Sequence, residues 1–333
     1  MILNPAIIAL ITSSLLITAY AVYASTIGFQ ILGRWDVKSG SEEQLVLERK
    51  TYLVSTLLAY LFGLSLFSLF LFIYTADHVH NLFVGAMCAA GSLNVNKYGY
   101  PALVMKTINF FLCGVWLIIN YTDSKGLDYP LIRIKYKLLI VITALLAFET
   151  FLTINYFMQL QPNVITSCCG TLFSTDADTI AGGLASLPSI PAKILFYLSV
   201  VLVLRSGIHF WVTGRAVRVF AYFSTWLYIF SFVAIISFIS LYFYELPTHH
   251  CPFDLLQREY NYIGYPLYLS LFAAGITGAG AGVIDRFKGA ASLKSAIPGL
   301  QKRLCLFSMI GYIIFTVIAT YPMIFSDFIL EGY

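Results

Sequence analysis

The chain has 333 residues, of which 59% are hydrophobic and only 11% charged, with a mean hydropathy of +0.82. Soluble domains carry roughly 25% charged residues, so the composition excludes a soluble enzyme, a disordered chain, a collagen and a disulfide-dense secreted mini-domain. A net charge of +4 is too small to suggest nucleic-acid binding; the partner this composition requires is the lipid bilayer.

Eight apolar runs are predicted to span the membrane, at 5–32, 52–74, 101–120, 138–160, 192–212, 219–244, 262–284 and 304–325. Each is long enough to cross a hydrocarbon core of about 30 Å as a helix. Each must be helical, because lipid offers the backbone no hydrogen-bond partners. The first run has no Lys or Arg before Arg34. It therefore lacks the basic start of a secretory signal peptide and is expected to remain as a span.

The basic residues alternate between loops. Arg34, Lys38, Arg49 and Lys50 follow the first run, and Lys125, Arg133, Lys135 and Lys137 follow the third. Arg215 and Arg218 follow the fifth, and Arg286, Lys288, Lys294, Lys302 and Arg303 follow the seventh. The other loops and their edges hold only Lys97, Lys106, Lys193 and Arg258. Positive charge collects on the cytoplasmic side, so both termini are expected outside, with a bacterial cytoplasmic (inner) membrane as the expected location.

Two stretches resemble each other internally. Residues 71–80 read LFIYTADHVH and residues 241–250 read LYFYELPTHH; residues 96–101 read NKYGYP and residues 261–266 read NYIGYP. Proline suits the first turn of a helix, where its missing N–H costs nothing, so each Gly-Tyr-Pro is expected to open a span. An offset of four spans preserves orientation. The expected fold is an all-α polytopic membrane protein, N-out and C-out, with two four-helix halves in parallel related by a pseudo-two-fold axis. The halves are 1–160 and 192–333, separated by an outer-face loop at 161–191. Coincidence in a Tyr-rich membrane protein is the competing explanation of the repeat.

The side chains suited to chemistry fall on one side of this topology. The outer loops hold Asp77, His78, His80 and Cys88, then Cys168 and Cys169, then His249, His250, Cys251 and Asp254. The predicted cytoplasmic loops hold neither His nor Cys, although Cys305 stands at a span boundary. Imidazole and thiolate suit copper, zinc and other borderline or soft ions. His78, His80, Cys88, His249, His250 and Cys251 are therefore the candidate metal ligands, with Asp77 and Asp254 orienting the imidazoles from behind. His80 and His250, facing each other, could instead hold haem b.

Two other readings compete. Cys168 and Cys169 could be redox thiols passing electrons to a lipid quinone, since adjacent cysteines make a strained, labile disulfide. Alternatively, disulfides staple the loops of a non-catalytic subunit that docks other membrane subunits or a soluble outer-face partner. No P-loop or Gly-x-Gly-x-x-Gly segment is present, so an ATP-driven role would need a separate subunit. The leading expectation is a membrane protein that binds or moves a soft transition-metal ion or metal cofactor.

Glu149 and Arg205 lie inside predicted spans. Isolated charges in lipid are costly and tend to pair, so a Glu149–Arg205 ion pair across the two halves is expected. The seventh run contains Gly275, Gly278, Gly280 and Gly282, and small residues let membrane helices approach closely.

Overall fold

The computed structural model describes residues 3–37, 39–126, 128–162, 164–166, 173 and 180–330. Among the described residues, eight helices are long and apolar enough to cross a membrane. They are α1 (Pro5–Arg34), α2 (Glu42–His78), α3 (Gly99–Asp123), α4 (Ile132–Met158), α5 (Ser189–Thr213), α6 (Val217–Tyr244), α7 (Gly264–Asp285) and α8 (Ala296–Phe325). Among the described residues the only β pairing is an isolated bridge between Val84 and Ile165. The chain is thus an all-α polytopic membrane protein; six predicted runs lie wholly within these helices, while the fourth overruns Met158 by two residues and the seventh begins two residues before Gly264.

Most helices run past their apolar windows, because backbone hydrogen bonding does not stop where hydrophobicity does. At 37 residues, α2 is about 55 Å long at 1.5 Å per residue. Arg49 and Lys50, expected in a loop, lie on its early turns. Pro298, also expected in a loop, sits near the start of α8. Both Gly-Tyr-Pro segments open spans, α3 from Gly99 and α7 from Gly264. The α6 helix contains a π turn at Ile235–Ile239.

The chain divides into two compact units. The first comprises Met1–Thr75, Asn96–Gln161 and Arg286–Gly299; the second comprises Ala76–Val95, Pro162–Asp285 and Leu300–Tyr333. The loop Ala76–Val95, expected with the first half, therefore belongs to the second unit.

In the first unit α4 packs against both α1 and α3. Small residues on α1 let the backbones approach: a Cβ added at Gly28 would sit 3.0 Å from Tyr136 Cδ1. Paired hydroxyls bridge the two helices, Thr18 to Thr150 at 2.7 Å and Ser25 to Thr143 at 2.9 Å. Ile27, Leu58, Phe62, Trp116, Leu139 and Ile142 fill the apolar core. At the junction of α3 and α4, Lys135 pairs with Asp123 at 2.8 Å, and Asp123 also accepts from the Leu131 N–H.

The expected Glu149–Arg205 pair is not what forms. Glu149 receives Lys106 Nζ at 2.7 Å and Asn109 Nδ2 at 2.6 Å, all three residues being buried. Arg205 is exposed on α5. The reason is helical spacing: Lys106 and Asn109 are three residues apart on α3 and present adjacent donors on one face, which satisfies both oxygens of the carboxylate.

In the second unit α6 packs against both α5 and α7. The α7 glycines form the closest contact. A Cβ at Gly275, Gly278 or Gly282 would stand 2.4 Å from Tyr228 Cδ2, 1.9 Å from Ser224 Oγ or 2.4 Å from Ala221 Cβ. Tyr312 of α8 ties in by donating its hydroxyl to the Ser224 carbonyl at 2.5 Å.

Candidate metal centre

Two loops of the second unit build the centre. After α2 ends, the chain makes a short 3-10 turn at His80–Leu82 and then pairs Val84 with the segment 164–166. Gly85 follows with φ +88, and a Cβ there would meet the Thr166 carbonyl oxygen at 2.7 Å. Only glycine fits both the left-handed backbone and that close approach. Cys88 then precedes the five-residue helix Ala89–Leu93. Asp77 accepts from the Ala89 N–H at 3.1 Å, satisfying one of the donors that a helix start leaves unpaired.

The second loop begins where Glu245, at φ 54, terminates α6. It folds back around the Tyr244 hydroxyl. That oxygen donates to the Cys251 carbonyl at 2.6 Å and accepts from the Leu255 N–H at 3.0 Å. The Tyr244 ring also packs edge-on against His249, with centroids 4.8 Å apart. Gln257 braces this loop to the first one, donating to Asp77 Oδ1 at 3.1 Å and to the Met87 carbonyl at 2.9 Å.

The result is a buried cluster of three donor side chains. Ligand atoms of Cys88, Cys251 and Asp254 all lie within 4.8 Å of one another. The two sulfurs are 3.6 Å apart, and Cys251 Sγ donates to Asp254 Oδ1 at 3.2 Å. His249 Nε2 lies 2.5 Å from Asp254 Oδ2. Burial pushes the Asp254 carboxyl up, but hydrogen bonds from His249, Cys88 and Cys251 outweigh it and hold the group below the usual carboxylate range.

The remaining candidates are placed differently. His78 is exposed at the end of α2. The His80 Nδ1 contacts the Asp77 carbonyl. The buried His250 ring places Nδ1 2.8 Å from the carbonyl of Ile236, inside the π turn of α6. Burial holds the His250 ring below its ordinary range, helped by neighbouring His249 and opposed by the Ile236 carbonyl. A carbonyl only accepts, so Nδ1 carries the proton and the neutral ring keeps its lone pair on Nε2. Neither His80 nor His250 belongs to the three-donor cluster. Asp77 supports the helix Ala89–Leu93 and Gln257 rather than an imidazole ring nitrogen. Cys168 and Cys169 lie outside the described residues.

Sequence reasoning placed Asp254 only behind a histidine. The structure puts one of its oxygens against His249 and the other against the thiol of Cys251. It also overlooked Tyr244 and Gln257. Tyr244 carried a signal, since it aligns with Tyr74 in the internal repeat, but its hydroxyl contacts depend on the fold of the following loop.

No family model, characterised protein or solved structure matches this chain.

Proposed function

We propose that this protein binds a thiophilic transition-metal ion through Cys88, Cys251 and Asp254, as a membrane carrier or holder of that ion. The observation that carries this reading is the convergence of two thiols and a carboxylate oxygen in a buried cluster, from loops 163 residues apart in sequence. Two thiolates on a tetrahedral zinc at about 2.3 Å stand about 3.8 Å apart, and the sulfurs here are 3.6 Å apart. The carboxylate oxygen favours zinc over copper(I) and over haem b, since a mixed oxygen and sulfur set suits a borderline ion. His249 would orient the carboxylate from behind. Three protein donors leave a fourth position for water or an exchanging ligand, which suits a site that gives up its ion. The loops after α2 and α6 are separated by four spans and so face the same side; the distribution of basic residues supports the outer side.

Binding would displace the two thiol protons into solvent as two metal–sulfur bonds form. The test is elemental analysis of the detergent-purified protein. One metal ion per chain is expected, lost in Cys88→Ser, Cys251→Ser and Asp254→Asn, and retained in His80→Ala and His250→Ala. A wild-type protein that takes up no stoichiometric metal, even when zinc is supplied, would overturn this reading.

The same 3.6 Å separation supports a second reading, a dithiol that closes to a Cys88–Cys251 disulfide. Its two electrons and two protons would pass to a lipid quinone. A thiol count before and after exposure to a soluble quinone separates the two: the redox reading expects loss of two thiols without bound metal.

A further inference from the structure

The polar cluster inside the first unit has no part in the metal reading. Lys106 lies seven residues into α3, and Glu149 lies nine residues before the end of α4. At 1.5 Å per residue both are roughly 10–14 Å from those helix ends, well within a hydrocarbon core. The side chains of Lys106 and Glu149 are 1% and 4% exposed, and Asn109 is fully buried. Intramembrane charges of this kind are rare and commonly mark ion or proton pathways.

Counting hydrogen bonds leaves the cluster incomplete. Glu149 is satisfied on both oxygens, by Lys106 and by Asn109. The Asn109 Oδ1 acceptor, however, is buried with no partner among the described residues. The same holds for the Thr153 hydroxyl, one helical turn from Glu149. An ammonium has three donors, and one contact to Glu149 accounts for one of them. Orphaned buried polar atoms beside spare donors are the setting in which proteins hold ordered water.

We propose that Lys106, Asn109 and Glu149 form a water-holding proton-exchange site within the membrane. A water accepting from Lys106 Nζ and donating to Asn109 Oδ1 satisfies both. It also gives protons a route to Glu149. In the exchange step a hydronium O–H bond breaks and a bond from that hydrogen to a Glu149 oxygen forms; water keeps the electron pair, and the carboxylate becomes a neutral acid. Lys106 then loses its counter-charge. The water and the face of the Phe72 ring, whose centroid is 5.5 Å from Nζ, hold the ammonium in its place. Deprotonation restores the ion pair.

Among the described residues, the groups facing Glu149 are few. From α3 they are Lys106, Asn109 and the Cys113 thiol, itself beside Ser65 of α2. On α4 the next titratable side chain is Tyr156, two turns along. The α1 face against α4 offers the hydroxyls of Thr18 and Ser25 and no charge. Glu149 is therefore the carboxylate within reach of the proposed water.

Infrared difference spectroscopy between acid and neutral pH, on the full chain in liposomes, tests this. A protonated-carboxyl band that rises in acid, shifts in D2O and disappears in Glu149→Gln is expected. Asn109→Leu, which removes the orphan acceptor together with the Nδ2 donor to Glu149, should move the band's midpoint by more than a factor of ten in proton concentration. Should Glu149→Gln fail to fold, the charge-neutral Lys106→Met/Glu149→Gln protein serves in its place. The proposal is overturned if the wild type shows no titrating buried carboxyl, if the band persists in these variants, or if Asn109→Leu leaves its midpoint unmoved.

Discussion

Replacing Tyr244 by phenylalanine isolates one oxygen atom. The aromatic ring stays, with its edge contacts to His249 and Tyr260, both at 4.8 Å. What disappears is the donor to the Cys251 carbonyl at 2.6 Å and the acceptor for the Leu255 N–H at 3.0 Å. Losing a hydrogen bond costs about 1 kcal/mol where the freed group finds another partner, and about 1–3 kcal/mol where a buried backbone group is left unsatisfied. Leu255 is fully buried, so water does not readily replace the lost partner. The loss is expected to total about 2–4 kcal/mol. These two bonds fix the backbone on either side of residues 252–254, so Cys251 and Asp254 should lose their registration together. Thermal unfolding in detergent should show the destabilisation, and zinc titration should show weaker binding although every proposed ligand is still present. If Tyr244→Phe unfolds and binds zinc like the wild type, the hydroxyl does not anchor this loop and the argument for a preformed centre fails.

Other perturbations test the packing and the electrostatics. Gly278→Ala would place a Cβ 1.9 Å from Ser224 Oγ and 2.6 Å from its Cβ, so α6 and α7 must separate at a cost of about 1–3 kcal/mol or more. Gly289→Ala meets nothing within 4 Å and should leave the melting temperature unchanged; equal melting of the two variants would contradict the contact. Lys106→Met leaves Glu149 buried without its cation and should cost about 3–5 kcal/mol, whereas Lys106→Met/Glu149→Leu should recover most of it; a double variant no more stable than the single one would show that the pair is not coupled. Asp254, held below its usual range in the folded state, contributes stability in full above the unfolded value of about 3.9. That contribution is lost as pH falls through the lower folded value, so the metal-free wild type and Asp254→Asn should converge in acid unfolding scans, and constant separation would refute the assignment. Because two thiols must deprotonate to bind, zinc affinity should rise with pH, which a competition titration at several pH values would check.

The architecture was legible because lipid makes sequence explicit. A span must be apolar over its whole crossing, and all eight runs contain that signal without tertiary information. The helix ends were less legible, since α2 and α8 continue through polar turns that a hydropathy window reads as loop. The close approach of α7 was legible in part: Gly275, Gly278 and Gly282 recur at helical spacing, though Ser224 and Ala221 as their partners follow only from the fold.

The polar clusters show where sequence reading stops and why. Glu149 was visible as a charge out of place, whereas Lys106, three residues before Asn109, was counted with the basic residues of the loops and their edges. Lys106 sits close enough to the Gly-Tyr-Pro start of its span to pass for an interfacial residue, and so the more central Arg205 was given the role of partner. Depth along one helix ranks the cost of a charge; it does not say which face the charge occupies, and the face decides the pairing. The centre in the second unit has the same logic. Histidine and cysteine types marked the right loops, but ligand atoms are chosen by the backbone. Tyr244 turns Cys251 and Asp254 inward and Gln257 ties that loop to Asp77 and Met87, while backbone carbonyls engage one ring nitrogen each of His80 and His250. A loop's residue types therefore propose a chemistry, and its hydrogen bonds decide which of those residues can carry it.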